Sequence, residues 1–133
     1  MAVERTAVNP WPWSVELGYN QAEVVTGHTR TLYCSGQTAM SAEGKPQHPD
    51  DLAAQLALSL DNLETVLGDA GLSLPNVVRL TVYTTDVDLL FQHYGVLASR
   101  LGRVGVAPPT TMLGVTRLAL PDLLVELEAT AVA

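Results

Sequence analysis

Five leucines organise the middle of the chain. Leu52, Leu56, Leu60, Leu63 and Leu67 recur at spacings of four and three, which places them on one face of a helix. Asp50 or Asp51 can cap its start, Gly71 suits its stop, and Pro75 prevents continuation. Gln55, Ser59, Asn62 and Asp69 lie along a more polar flank.

Strand-like segments stand on both sides of this helix. Residues 20–26 and 31–36 flank Gly-His-Thr-Arg, which predicts a hairpin. Residues 77–85 (VVRLTVYTT) are rich in β-branched side chains, with Val78, Leu80 and Val82 on one face. A second helix is predicted from near Asp88 to near Gly102, carrying Leu90, Tyr94, Leu97 and Leu101. After Ala107-Pro108-Pro109, two more strands are predicted at about 110–119 and 123–132. The order ββαβαββ predicts an α+β fold: one mixed sheet with both helices on one face. The first helix permits a parallel crossover, and the terminal strands are close enough to be antiparallel. Pro10 and Pro12 make residues 9–13 an irregular lead-in. No linker or repeat divides the chain, so residues 1–133 read as one domain. No third helix covers the other face of the sheet, whose outward residues include apolar ones. A partner subunit is therefore expected there.

Charge excludes some partners. The net charge is −7, and the seven basic residues (Arg5, Arg30, Lys45, Arg79, Arg100, Arg103, Arg117) are scattered. Nucleic acid and anionic membrane surfaces both need clustered Lys and Arg, so neither is expected. No apolar run approaches the roughly 20 residues of a membrane helix, and no secretory pattern opens the sequence. With one cysteine, Cys34, no internal disulfide can form. A cytoplasmic location is the expectation.

Glu126 and Glu128 are two apart on the last strand and share a face, with Val125, Leu127, Ala129 and Ala131 on the other. If a partner closes that face, burial raises a carboxyl pKa toward the range useful for acid–base work. Spacing alone fits a solvated face bearing two acids better than a catalytic one. Trp11, Trp13 and Tyr19 can wall a pocket or pin the N-terminal segment to the core. His28, His48 and His93 have no metal-ligand spacing with each other or with Cys34. Cys34 lies in an apolar strand and reads as structural. No G-x-S-x-G, P-loop or G-x-G-x-x-G motif occurs. Gly36, between a strand and a polar loop, reads as a bulge or turn glycine.

An ordered set of segments resembles the RidA/YjgF family: Cys34-Ser-Gly-Gln37, QLALSLDNL at 55–63, Ala70-Gly71 and VVRLTVYTTD at 77–86. Tyr94, Pro108-Pro109, Val115-Thr-Arg-Leu118, Leu120-Pro121 and Val125-Glu-Leu-Glu-Ala129 continue it, over about residues 18–133. The resemblance implies a chorismate-mutase-like fold and a homotrimer whose sheets form a central barrel with pockets between subunits. It also implies hydrolysis of reactive enamine or imine products of amino-acid metabolism to 2-oxo acids and ammonia, with no metal or organic cofactor. By the same resemblance Glu126 orients the attacking water, while Gly36 and Tyr19 help form the pocket. The family's carboxylate-binding arginine falls on Thr110, its cysteine two residues later on Met112, and its asparagine before the helical tyrosine on Phe91.

The Thr110 departure bears on the substrate. A hydroxyl cannot imitate a bidentate guanidinium–carboxylate contact, and losing it costs on the order of 1.5–3 kcal/mol. Arg117 matches another family position. The expected substrate is therefore a small enamine or imine other than the usual 2-imino acids, in a pocket walled by Tyr19, Trp11 and Trp13. The alternative is a non-catalytic ligand-binding or interaction trimer of the same fold.

Overall fold

The computed structural model describes residues 2–133. Strand β1 (Glu4–Val8) leads through a short helix α1 (Trp13–Glu16) to β2 (Ala22–Thr26) and β3 (Thr31–Gln37). Helix α2 (Leu52–Asp69), strand β4 (Val77–Thr84), helix α3 (Val87–Arg103), β5 (Thr110–Gly114) and β6 (Val125–Val132) follow. The fold is α+β, as the patterning predicts, but with a strand and a short helix added at the N-terminus. No helix among the described residues is long and apolar enough to cross a membrane.

The leucine face behaves as its spacing requires. Leu52, Leu56, Leu60, Leu63 and Leu67 are all buried, against Leu90, Leu97 and Leu101 of α3 and the inner face of the sheet. The Asp51 carboxylate caps α2 by accepting from Ala54 N at 3.0 Å, and the Asp86 carboxylate caps α3 by accepting from Leu89 N at 3.0 Å. Gly71, at φ +76°, ends α2 in the left-handed conformation.

Strand pairing departs from the expectation in two places. β2 pairs with β1, not with β3, and the larger sheet runs β3-β6-β4-β5. The predicted hairpin turn therefore links two sheets. The cause lies at the C-terminus: Thr29 N and Arg30 N both donate to Ala133 O, at 2.8 and 2.9 Å, which draws β3 onto β6. β1 is held to β2 by Arg5, whose Nε donates to Glu23 Oε2 at 2.7 Å. The terminal strands are also not neighbours. β5 ends at Gly114 and pairs in parallel with β4, while β6 inserts between β3 and β4, antiparallel to both. The parallel crossover between adjacent strands is thus β4-α3-β5.

A register shift between Val77 and Arg79 turns the predicted face of β4. Val77, Leu80 and Val82 are buried toward the helices, and Val78 sits at the bulge. The polar flank of α2 is largely internal. Fully buried Gln55 donates to His48 O at 3.1 Å and Asp122 O at 2.8 Å, and accepts from Leu124 N at 2.8 Å. Thr84 Oγ1 donates to Leu124 O at 2.8 Å. These bonds fix the entry to β6, two residues before Glu126.

Candidate functional site

Alternation along β6 buries Val125, Leu127, Ala129 and Ala131 and leaves Glu126 and Glu128 on the face away from the helices. Glu126 stands opposite Tyr83 and Glu128 opposite Thr81. Their surroundings then diverge. Tyr83 Oη donates to Glu128 Oε1 at 3.0 Å. Glu126 instead lies over Gly36, where β3 slips out of register between Cys34 and Gln37. A Cβ at Gly36 would overlap Oε1 of Glu126 and sit 2.6 Å from its Cδ. Gly36 is required by this close approach, not by its backbone angles.

Partial burial, with a smaller contribution from the Glu128 charge, raises the Glu126 pKa above its ordinary 4.5. The group is therefore half-sheltered, still ionisable, and more basic than a free carboxylate. On the same face Tyr33 and Leu113 are exposed, and Arg79 Nη2 donates to Thr111 Oγ1 at 2.8 Å.

A second set of residues gathers elsewhere. Leu17, Tyr19, Phe91, Tyr94, Thr110 and Met112 line a cavity of about 310 Å³. Thr110 and Met112 pair with Leu80 and Val82, whose side chains point to the helix side. The cavity therefore opens on the opposite face of the sheet from Glu126. Phe91 and Tyr94, three apart on α3, share a helix face. Tyr19 is brought over the start of β5 because Asn20 N donates to Ala107 O at 2.9 Å. Thr110 Oγ1 donates to Pro108 O at 2.7 Å. Burial, and to a lesser extent the nearby Tyr19, raises the Tyr94 pKa.

The expected site residues thus fall into two half-sites: Glu126 with Gly36, and Tyr19, Phe91, Thr110 and Met112. Trp13 reaches the second only indirectly, through an edge-to-face contact with Tyr19 at 6.2 Å between ring centroids. Trp11 is exposed and does not line the cavity. Both tryptophans are more than half exposed, outside the lining of this cavity in the single chain. Leu17 and Tyr94 are lining residues that sequence reasoning missed as such. Tyr94 was legible as part of the α3 apolar stripe and of the family resemblance, not as a cavity wall. Cys34 is buried, and burial raises its thiol pKa, as suits a structural cysteine.

Comparison with known proteins settles the family. The profile described as Endoribonuclease L-PSP matches residues 13–133. The chain belongs to the RidA/YjgF family. Among solved structures of relatives, the Rid-family protein YyfB from Yersinia pestis superposes with a TM-score of 0.84 at 35% identity, covering 97% of this chain and 98% of that one. A RutC family protein of Aquifex aeolicus is 31% identical over 115 residues, 86% of this chain and 87% of its own. The rat 2-iminobutanoate/2-iminopropanoate deaminase is 36% identical over 70 residues, 53% of this chain and 49% of its own. Within the RidA/YjgF fold, the half-site at Gly36 and the cavity at Thr110 both lie inside the matched region.

Proposed function

We propose that this RidA/YjgF protein is a hydrolytic deaminase of small reactive enamines or imines, other than the usual 2-imino acids. It works as a homotrimer in which Glu126 of one copy faces the Tyr19–Thr110 cavity of the next. The observation that carries the reading is Glu126 itself, held over Gly36 with a raised pKa. In the reaction the Glu126 carboxylate takes a proton from water as the oxygen attacks the imine carbon. The C=N π electrons pass to nitrogen, which takes that proton from Glu126. The carbinolamine hydroxyl then gives its proton to the Glu126 carboxylate, which hands it to the amino nitrogen as the C–N bond breaks and an oxygen lone pair forms C=O, leaving the carbonyl product and ammonia. The cavity positions the substrate, and no step calls for a metal or organic cofactor.

Two half-sites on opposite faces of one sheet support the trimer, since neither can complete the other within one chain. Charge favours a small molecule over RNA: the net charge is −7, Arg5 pairs with Glu23, and Arg100 pairs with Asp61 and Glu64. The second reading, a non-catalytic binding trimer, is favoured by Thr110 and Met112 standing where the resemblance places an arginine and a cysteine. Ammonia release from a panel of freshly generated enamines and imines separates the two. Multiple turnover on at least one member is expected; release no faster than in buffer across the panel would leave the binding reading.

A further inference from the structure

The cavity at the edge of β5 has a chemistry of its own. Among the described residues its six lining side chains are Leu17, Tyr19, Phe91, Tyr94, Thr110 and Met112, and none carries a charge. The hydroxyl of Thr110 already donates to Pro108 O at 2.7 Å, so its proton is unavailable to an anionic ligand. Among the described residues no arginine lines the cavity: Arg100 and Arg103 stand around a separate one with Glu64, and the two arginines flanking β5 are committed elsewhere. Arg79 donates to Thr111 Oγ1 on the opposite face, and Arg117 donates to its own Leu118 O and to Ala119 O. An anion placed here would find no cation to replace its water, only the neutral hydroxyls of Tyr19 and Tyr94, and would meet aromatic ring faces, which carry negative charge density.

The apolar contribution is large for so small a space. Three aromatic rings and a thioether surround about 310 Å³, at the lower end of small-molecule pockets and suited to one ring with a short chain. Phe91 lies at the mouth and is largely exposed, so it has surface to lose when a ligand enters. Met112 adds a flexible wall that adapts to an aromatic face.

From these observations we infer that the cavity selects an uncharged compound bearing an aryl or bulky apolar group, and rejects one with a carboxylate beside the reacting carbon. This rests on the deaminase reading for the reaction, but not for the ligand. The substrate class is then an uncharged aryl-alkyl imine or enamine, and the product the corresponding aldehyde or ketone.

Binding of stable carbonyl compounds tests the assignment without turnover. Phenylacetone, phenylpyruvate and pyruvate form the set, read by calorimetry and by fluorescence of Trp13 beside Tyr19. Wild type is expected to bind phenylacetone at least about tenfold more tightly than phenylpyruvate, and pyruvate most weakly. Phe91→Ala should weaken phenylacetone several-fold. Thr110→Arg should reverse the order of the first two. Phenylpyruvate binding to wild type as tightly as phenylacetone would overturn the inference, and needs no variant to fold. The two readings fail separately. Tight phenylacetone binding without ammonia release from the matching imine upholds the ligand class and discards the hydrolase. Turnover of 2-iminobutanoate with no phenylacetone binding does the reverse.

Discussion

Replacing Glu126 with Gln is expected to lower ammonia release by about 10²–10⁴-fold, because an amide cannot take the proton of the attacking water. The same change should leave the fold intact and slightly stabilise it at neutral pH. The sign follows from the raised pKa. Burial and the Glu128 charge favour the protonated carboxyl in the folded state. The associated stability is complete below the ordinary value near 4.5 and is lost as pH rises through the higher folded value. At pH 7 the ionised side chain is therefore unfavourable in the folded protein, and glutamine removes that cost. Thermal melts should place Glu126→Gln above wild type at pH 7, with the difference gone by about pH 4. The wild-type pH–rate profile should fall on the acid side with an inflection above 4.5. Equal rates for wild type and variant would remove Glu126 from the mechanism.

Gly36→Ala is the second large effect. The added methyl overlaps the Glu126 carboxylate, and the end of a glutamate is the flexible partner, so Glu126 is the group that moves. Swinging it off its preferred rotamer costs about 0.5–1.5 kcal/mol, a melting shift of no more than about 6 °C for a chain this size. Displacing a catalytic carboxylate by about an ångström costs on the order of 10²-fold in rate. A near-native melt with activity down by about that factor is the expected pair of results. Full activity would show that the carboxylate need not rest over Gly36.

Which features were legible in the sequence depended on the range of the interactions behind them. The leucine stripe of α2 and the period-two alternation of β6 are local patterns, and both held: the five leucines are buried, and Glu126 shares a face with Glu128. The order of strands was not local. β6 inserts between β3 and β4 through pairs some forty to a hundred residues apart, such as Tyr83 with Glu126 and Tyr33 with Thr130, and no short pattern encodes that. β1 escaped notice because it depends on β2 and on Arg5 reaching Glu23. The bulge at Val78 moved one residue off the core face, an event that β-propensity does not register. For the site, spacing supplied two acids, and the RidA/YjgF resemblance singled out Glu126, Gly36, Tyr19 and Thr110. The division of those residues between two faces became visible only when β5 paired in parallel with β4, which turns Thr110 and Met112 away from Glu126.

That division makes the shared site the central claim, and subunit complementation tests it most directly. Glu126→Gln disables one half-site, and Met112→Trp, which fills the cavity, disables the other. The two variants, co-expressed with different tags and purified through both, yield mixed trimers. Around a three-fold ring each mixed trimer contains one junction at which an intact Glu126 meets an intact cavity. The account predicts that the separately inactive variants together recover about one third of wild-type ammonia release; mixed trimers as inactive as either parent would contradict it.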